Sequence, residues 1–165
     1  MASPYVEIEV DGHDVKVTNP DKLTFPDAGL RKIDVVNYHI AVGDGIMRAL
    51  RERPVTLERW QDGVHAGAKV ATRADARGAD AFFQKRISKG APEWVETAHI
   101  TFPSGRTADE VCPTTLATVA WCAQQNTVTC RGCPTRNSRS GGCRMFCEPV
   151  ASTSWGHVGL RPPAD

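Results

Sequence analysis

The sequence predicts an α+β fold, with mixed and antiparallel strands, two main helices and an irregular C-terminal tail. Three observations carry that expectation. Val6-Glu7-Ile8-Glu9-Val10 alternates as a half-buried strand does, and the hairpin signal Asp11-Gly12 returns it through Val15-Lys16-Val17. Ile33, Val36, Ile40, Met47 and Leu50 then fall at helical spacing, as do Leu116, Val119, Ala120 and Ala123. Strands elsewhere are short and do not alternate regularly with helices, which argues against a doubly wound sheet.

Taken in order, the first strand spans Tyr5 to Val10. A turn-rich stretch, Thr18 to His39, follows the hairpin and holds Asn19-Pro20, Phe25-Pro26 and Gly29. One amphipathic helix is expected from about Lys32 to Arg51, with Val35, Val42 and Ile46 widening its apolar stripe and Pro54 closing it. Gly43 and Gly45 weaken its middle by up to ~1 kcal/mol each. Pro54 to Trp60 reads as a strand, and His65 to Ala81 as a surface loop without apolar periodicity. Phe82 to Ile87, Val95 to Phe102 and Thr107 to Val111 read as strands. Thr114 to Gln125 reads as a helix capped by Thr114 or Thr115, and Thr127 begins a further strand.

The composition then changes. Cys130 to Ser152 holds four arginines against one acid, Glu148, among Gly, Ser and Cys, and nothing in its pattern buries a helix or strand. The expected organisation is a domain over residues 1–129 and a diverged, disordered tail over 130–165.

The chain has 165 residues, one domain's worth, with Lys+Arg 20 against Asp+Glu 19. That balance gives no global field, so any nucleic-acid footprint must be local. No apolar run spans a bilayer, and Met1-Ala2-Ser3-Pro4 does not open a signal peptide, so a cytoplasmic protein without membrane partners is expected. Six cysteines then stand as thiols or metal ligands. The five histidines lack ligand or triad spacing.

Lys22 and Lys32 flank the turns, and Lys32 stands where the helix begins. A helix N-terminus with free N–H groups and a nearby Lys suits a phosphate, with Asn19 as a neutral donor. The spacing alone favours a turn capped by Asn19 with two solvated lysines.

This stretch resembles the opening of the polymerase domain of bacterial DNA ligase D and its stand-alone relatives, in the archaeo-eukaryotic primase superfamily. The resemblance rests on Asn19-Pro20-Asp21-Lys22, Phe25-Pro26, Gly29 and Lys32. It continues through Arg53-Pro54, Arg59-Trp60, Asp62-Gly63, Phe82-Phe83-Gln84-Lys85, Ala91-Pro92-Glu93-Trp94, Ser104-Gly105-Arg106-Thr107 and Ala117-Thr118-Val119-Ala120-Trp121. It covers roughly Val6 to Thr129 and fades beyond.

The resemblance implies the N-terminal half of a primase-polymerase domain. Its partners would be double-stranded DNA ends carrying a 5′-phosphate, together with end-joining repair proteins. Asn19, Lys22 and Lys32 take the places of the phosphate contacts, Arg59 of a base or phosphate contact, and Phe83 and Lys85 of contacts at the DNA end. In a strand Phe82 and Phe83 point to opposite faces, so Phe83 reads equally as core. Glu58 stands where some relatives have Lys, which weakens local phosphate attraction. Arg31 stands where relatives have a capping Thr, so about 1 kcal/mol of capping is expected to be missing.

The family's nucleotidyl transfer uses Mn2+ or Mg2+ held by an Asp pair. Phe146 and Glu148 occupy those two places here, so no intact catalytic set, no metal and no nucleotide transfer are expected. The segment with the third carboxylate is not found in the chain, which suggests truncation. Two alternatives remain open. Cys130, Cys133, Cys143 and Cys147 have spacings that suit Zn2+ in a nucleic-acid-binding module. A tail of this composition is also what a shifted frame in a GC-rich gene encodes, which would make the chain a non-functional remnant.

Overall fold

The computed structural model describes residues 3–71, 79–102 and 104–132. Strands β1 (Tyr5–Val10) and β2 (His13–Thr18) pair antiparallel around Asp11 and Gly12, both at positive φ. β3 (Leu23–Phe25) and β4 (Leu30–Arg31) form a small ladder around a 3-10 turn at Pro26–Ala28, which Gly29 ends in the left-handed region. Two helices follow, α1 (Lys32–Ala41) and α2 (Gly43–Leu50). The main sheet has five strands: β5 (Val55–Trp60), β6 (Ala81–Gln84), β7 (Thr97–Thr101), β8 (Thr107–Val111) and β9 (Thr127–Gly132). Its strand pairs are antiparallel, and β5 pairs with β6, β8 and β9. Helix α3 (Leu116–Gln124) precedes β9. This is the α+β class the sequence predicts.

The core gathers Val10, Val15 and Val17 of the hairpin, Val36 of α1, Val55 and Leu57 of β5, and Ala117, Ala120, Trp121 and Cys122 of α3. Full burial of each Val or Leu contributes about 1.5–3 kcal/mol. The periodicity gave α3 one inner face, yet Ala117 to Ala123 are all buried. α1, the β1–β2 hairpin and β9 all contact this helix, so it is covered on more than the one face that its apolar spacing marks. Its start is fixed from afar: the Leu116 N–H donates to Asp11 Oδ2 at 2.7 Å, and Thr115 accepts from the Thr118 N–H.

Three expectations are corrected. The single helix from Lys32 to Arg51 is two, divided at Val42 (φ −96°, ψ 16°). Gly43, next in the chain, is buried so tightly that an added Cβ would lie 2.5 Å from Leu116 Cδ2, which brings the α1–α2 junction onto α3. The capping lost at Arg31 is partly replaced, because Asp34 Oδ2 accepts the Arg31 N–H at 2.8 Å and an Arg31 guanidinium contact at 3.2 Å. Finally, the last strand runs through Cys130 and Arg131 to Gly132, pairing Leu57 with Cys130, where the composition suggested no strand.

Candidate functional site

The site is built where the turn after β2 meets the start of α1. Asn19 sits at φ 49°, a left-handed position that Asn tolerates, and its carbonyl accepts the Lys22 N–H at 3.1 Å. The turn then closes over the helix end. Lys22 O accepts the Lys32 N–H at 2.7 Å, and Pro20 O accepts the Ile33 N–H at 3.1 Å. The first two amides of α1 are therefore occupied, and an anion here would be held by side-chain cations rather than by those N–H groups.

Three cations converge beside this turn. The Lys32 side chain is buried, 4% exposed, and its Nζ donates to Thr18 O at 2.7 Å. Burial, then repulsion from Lys22 and from Arg59, lowers its pKa to about 8. Lys22 Nζ donates to Gln61 O. Arg59, on β5 and half-buried, donates from Nε to Gln125 O at 2.9 Å and from Nη1 to Gln84 Oε1 at 2.6 Å, with its guanidinium 5.6 Å from the Phe82 ring centre. Burial pushes its pKa down. None of the three forms an ion pair among the described residues. Their partners are neutral oxygens, which fix the cations without neutralising them.

The remaining sequence-predicted residues lie apart from this cluster. Phe83 is 39% exposed and pairs with Glu58 across β5 and β6. Lys85 is exposed, 4.2 Å from the Phe102 ring centre, and its charge favours ionisation of the buried Glu110, whose carboxyl burial pushes up. Strand alternation puts Gln84 and Phe82 on the Arg59 face and Phe83 and Glu58 on the other. Glu58 is thus turned away from the Arg59 side chain and shares the face of Phe83. The Asn19 side chain is exposed and makes no hydrogen bond among the described residues.

Pattern reasoning gave no role to Gln84, Ser88 or Gln125. Ser88 Oγ accepts from Gln84 Nε2 at 3.0 Å and donates to Gln125 Oε1 at 2.5 Å, linking them around Arg59. Gln84 falls within a quoted motif, but no spacing ties Ser88 or Gln125 to it.

Phe146, Glu148, Cys133, Cys143 and Cys147 lie outside the described residues. Among those described, no group of three or more His, Cys, Asp or Glu could hold a metal ion. Cys130 packs against the core, where its thiol hydrogen-bonds Cys122, and that bond together with burial raises the Cys122 pKa. No described helix is long and apolar enough to cross a membrane.

Residues 31–144 match the family model described as LigD, primase-polymerase domain. The Multifunctional non-homologous end joining protein LigD of Mycolicibacterium smegmatis is 34% identical over 111 residues. The Multifunctional non-homologous end joining DNA repair protein LigD of Mycobacterium tuberculosis is 31% identical over 111 residues. Each alignment covers 67% of this chain and 13% of the relative, so the chain spans a small part of their length. A solved structure, the polymerase domain from Mycobacterium tuberculosis Ligase D in complex with DNA, superposes with a TM-score of 0.59 at 29% identity. It is matched over 72% of this chain and 36% of its own.

Proposed function

The chain belongs to the LigD primase-polymerase domain family, and from that premise we propose that it binds the 5′-phosphate of a recessed double-stranded DNA end in end-joining repair. Lys22, Lys32 and Arg59 hold the phosphate, and Asn19 adds a neutral donor. The observation that carries this reading is the uncompensated charge. Burying Lys32 beside two further cations, with no acid among the described residues paired to any of them, is unfavourable until an anion arrives. A phosphate dianion supplies that charge and accepts several hydrogen bonds at once. The DNA in the similar solved complex supports a nucleic-acid ligand.

Phe83 and Lys85, on the other side of the β6 backbone, meet the bases and backbone next to the end. Binding does not lead to nucleotide transfer by this chain, because Phe146 provides no metal ligand where the family has Asp.

The seat is tested with a Lys22→Ala/Lys32→Ala variant and two otherwise identical recessed duplexes ending in phosphate or hydroxyl. The expected result is a loss confined to the phosphorylated duplex. Each charge-assisted contact contributes ~1.5–3 kcal/mol before solvent screening reduces it. Unchanged affinity for the phosphorylated duplex refutes the assignment.

A further inference from the structure

We propose that Gln84, Ser88 and Gln125 are positioning residues that hold the Arg59 guanidinium in one orientation while leaving its charge for an anion. The inference rests on the reading of Arg59 as a phosphate contact and concerns what keeps it ready.

The geometry is a closed ring. Arg59 Nη1 donates to Gln84 Oε1 at 2.6 Å, and Gln84 Nε2 donates to Ser88 Oγ at 3.0 Å. Ser88 Oγ donates to Gln125 Oε1 at 2.5 Å, and the Gln125 carbonyl accepts Arg59 Nε at 2.9 Å. A second contact, from Gln84 Nε2 to the Arg86 carbonyl at 2.8 Å, anchors the amide from the strand side. Phe82 covers the guanidinium, and the Trp60 N–H bonds Asn126 O beside the ring. The guanidinium is held at two of its nitrogens, Nε and Nη1, so its plane is set from two sides.

All the acceptors are neutral, which is unusual for a half-buried arginine. Burial already disfavours its charge, and a carboxylate is the ordinary compensation. Glutamate at position 84 would have the same reach as the glutamine and would neutralise the cation. The glutamine supplies the same oxygen without the charge. Both hydrogens on Nη2 are left without an acceptor among the described residues, on a cation close enough to Lys32 to depress its pKa. The amide nitrogen of Gln125 is likewise buried without a partner among the described residues. A fixed, uncompensated guanidinium beside two lysines suits an incoming phosphate, whose oxygens a planar donor fork can meet without reorganisation.

Two variants test this, Gln84→Glu and Ser88→Ala, each checked by thermal melting and each combined with Arg59→Ala. Affinity is measured for recessed duplexes ending in 5′-phosphate or 5′-hydroxyl, and hydrogen exchange at the Arg59 side chain is followed by 15N NMR. Gln84→Glu is expected to weaken the phosphorylated duplex about tenfold and the hydroxyl duplex less than about twofold, with no effect once Arg59 is Ala. Ser88→Ala is expected to accelerate Arg59 side-chain exchange and to weaken the phosphorylated duplex about threefold, again only with Arg59 present. Equal losses on both duplexes, equal losses without Arg59, or Arg59 exchange unaltered by Ser88→Ala would overturn the inference. A wild-type chain that does not distinguish the two duplexes overturns the end-binding reading and this inference together. Variants without effect, set against a discriminating wild type, overturn the positioning role alone. Should Gln84→Glu fail to fold, Ser88→Ala decides.

Discussion

Burying the Lys32 ammonium against the Thr18 carbonyl, near Lys22 and Arg59, sets stability against binding at a single residue. Its pKa of about 8 in the fold lies below the unfolded value of about 10.5. Below pH 8 both states carry the proton and the penalty for burying it is fully present. Between about pH 8 and 10.5 the unfolded chain binds more protons, so stability rises with pH through that window. Lys32→Met should therefore be favoured over wild type most strongly at pH 7, by up to about 3 kcal/mol less the lost hydrogen bond, and by less at pH 10. Urea unfolding at the two pH values checks this, and a gap that does not narrow contradicts it. Binding has the opposite sense. A phosphate favours the protonated amine, so the preference for a phosphorylated end should fall as pH rises above about 8, and Lys32→Arg should remove that fall. Equal pH profiles for wild type and Lys32→Arg would remove Lys32 from the seat.

Among the elements, the α1–α2 junction shows how packing overrides pattern. The apolar stripe continues through Val42, so periodicity alone read one helix. The break follows from the approach to α3, where Leu116 occupies the space a Gly43 side chain would need. Gly45 has nothing within 4 Å of its virtual Cβ. Gly45→Ala should therefore stabilise by roughly 0.5–1 kcal/mol, the ordinary gain in helix propensity. Gly43→Ala should lose at least that much to the clash, and regain it in a Leu116→Ala background. Chemical denaturation of the four variants tests this, and additive effects of Gly43→Ala and Leu116→Ala would show that the contact does not restrict the junction. α3 carries the same lesson. One apolar face was legible, but burial on all sides depends on three neighbours that local sequence does not identify.

Across the whole molecule, the hairpin, the sheet strands and α3 were legible because period-two and helical apolar spacing survive burial. The three cations were legible only as a set of turns and lysines resembling a family, since Arg59 lies far along the chain from Lys22 and Lys32. Their convergence, the occupied amides at the start of α1 and the neutral ring around Arg59 are tertiary facts without a spacing signature. The face that Glu58 takes was not legible for the same reason, because adjacency in sequence put it beside Arg59 while strand alternation turns it to the opposite face. The proposed division of labour, end binding without nucleotide transfer, predicts no primer extension with Mg2+ or Mn2+ and either ribo- or deoxynucleotides. Extension abolished by Glu148→Ala would show a working carboxylate site and contradict it. The central claim is tested most directly by titrating the wild-type chain, at pH 7 and fixed salt, with one recessed duplex ending in 5′-phosphate and the same duplex ending in 5′-hydroxyl. The account predicts at least about tenfold tighter binding of the phosphorylated end, as one surviving charge-assisted contact would give. Equal affinity for the two ends would contradict it.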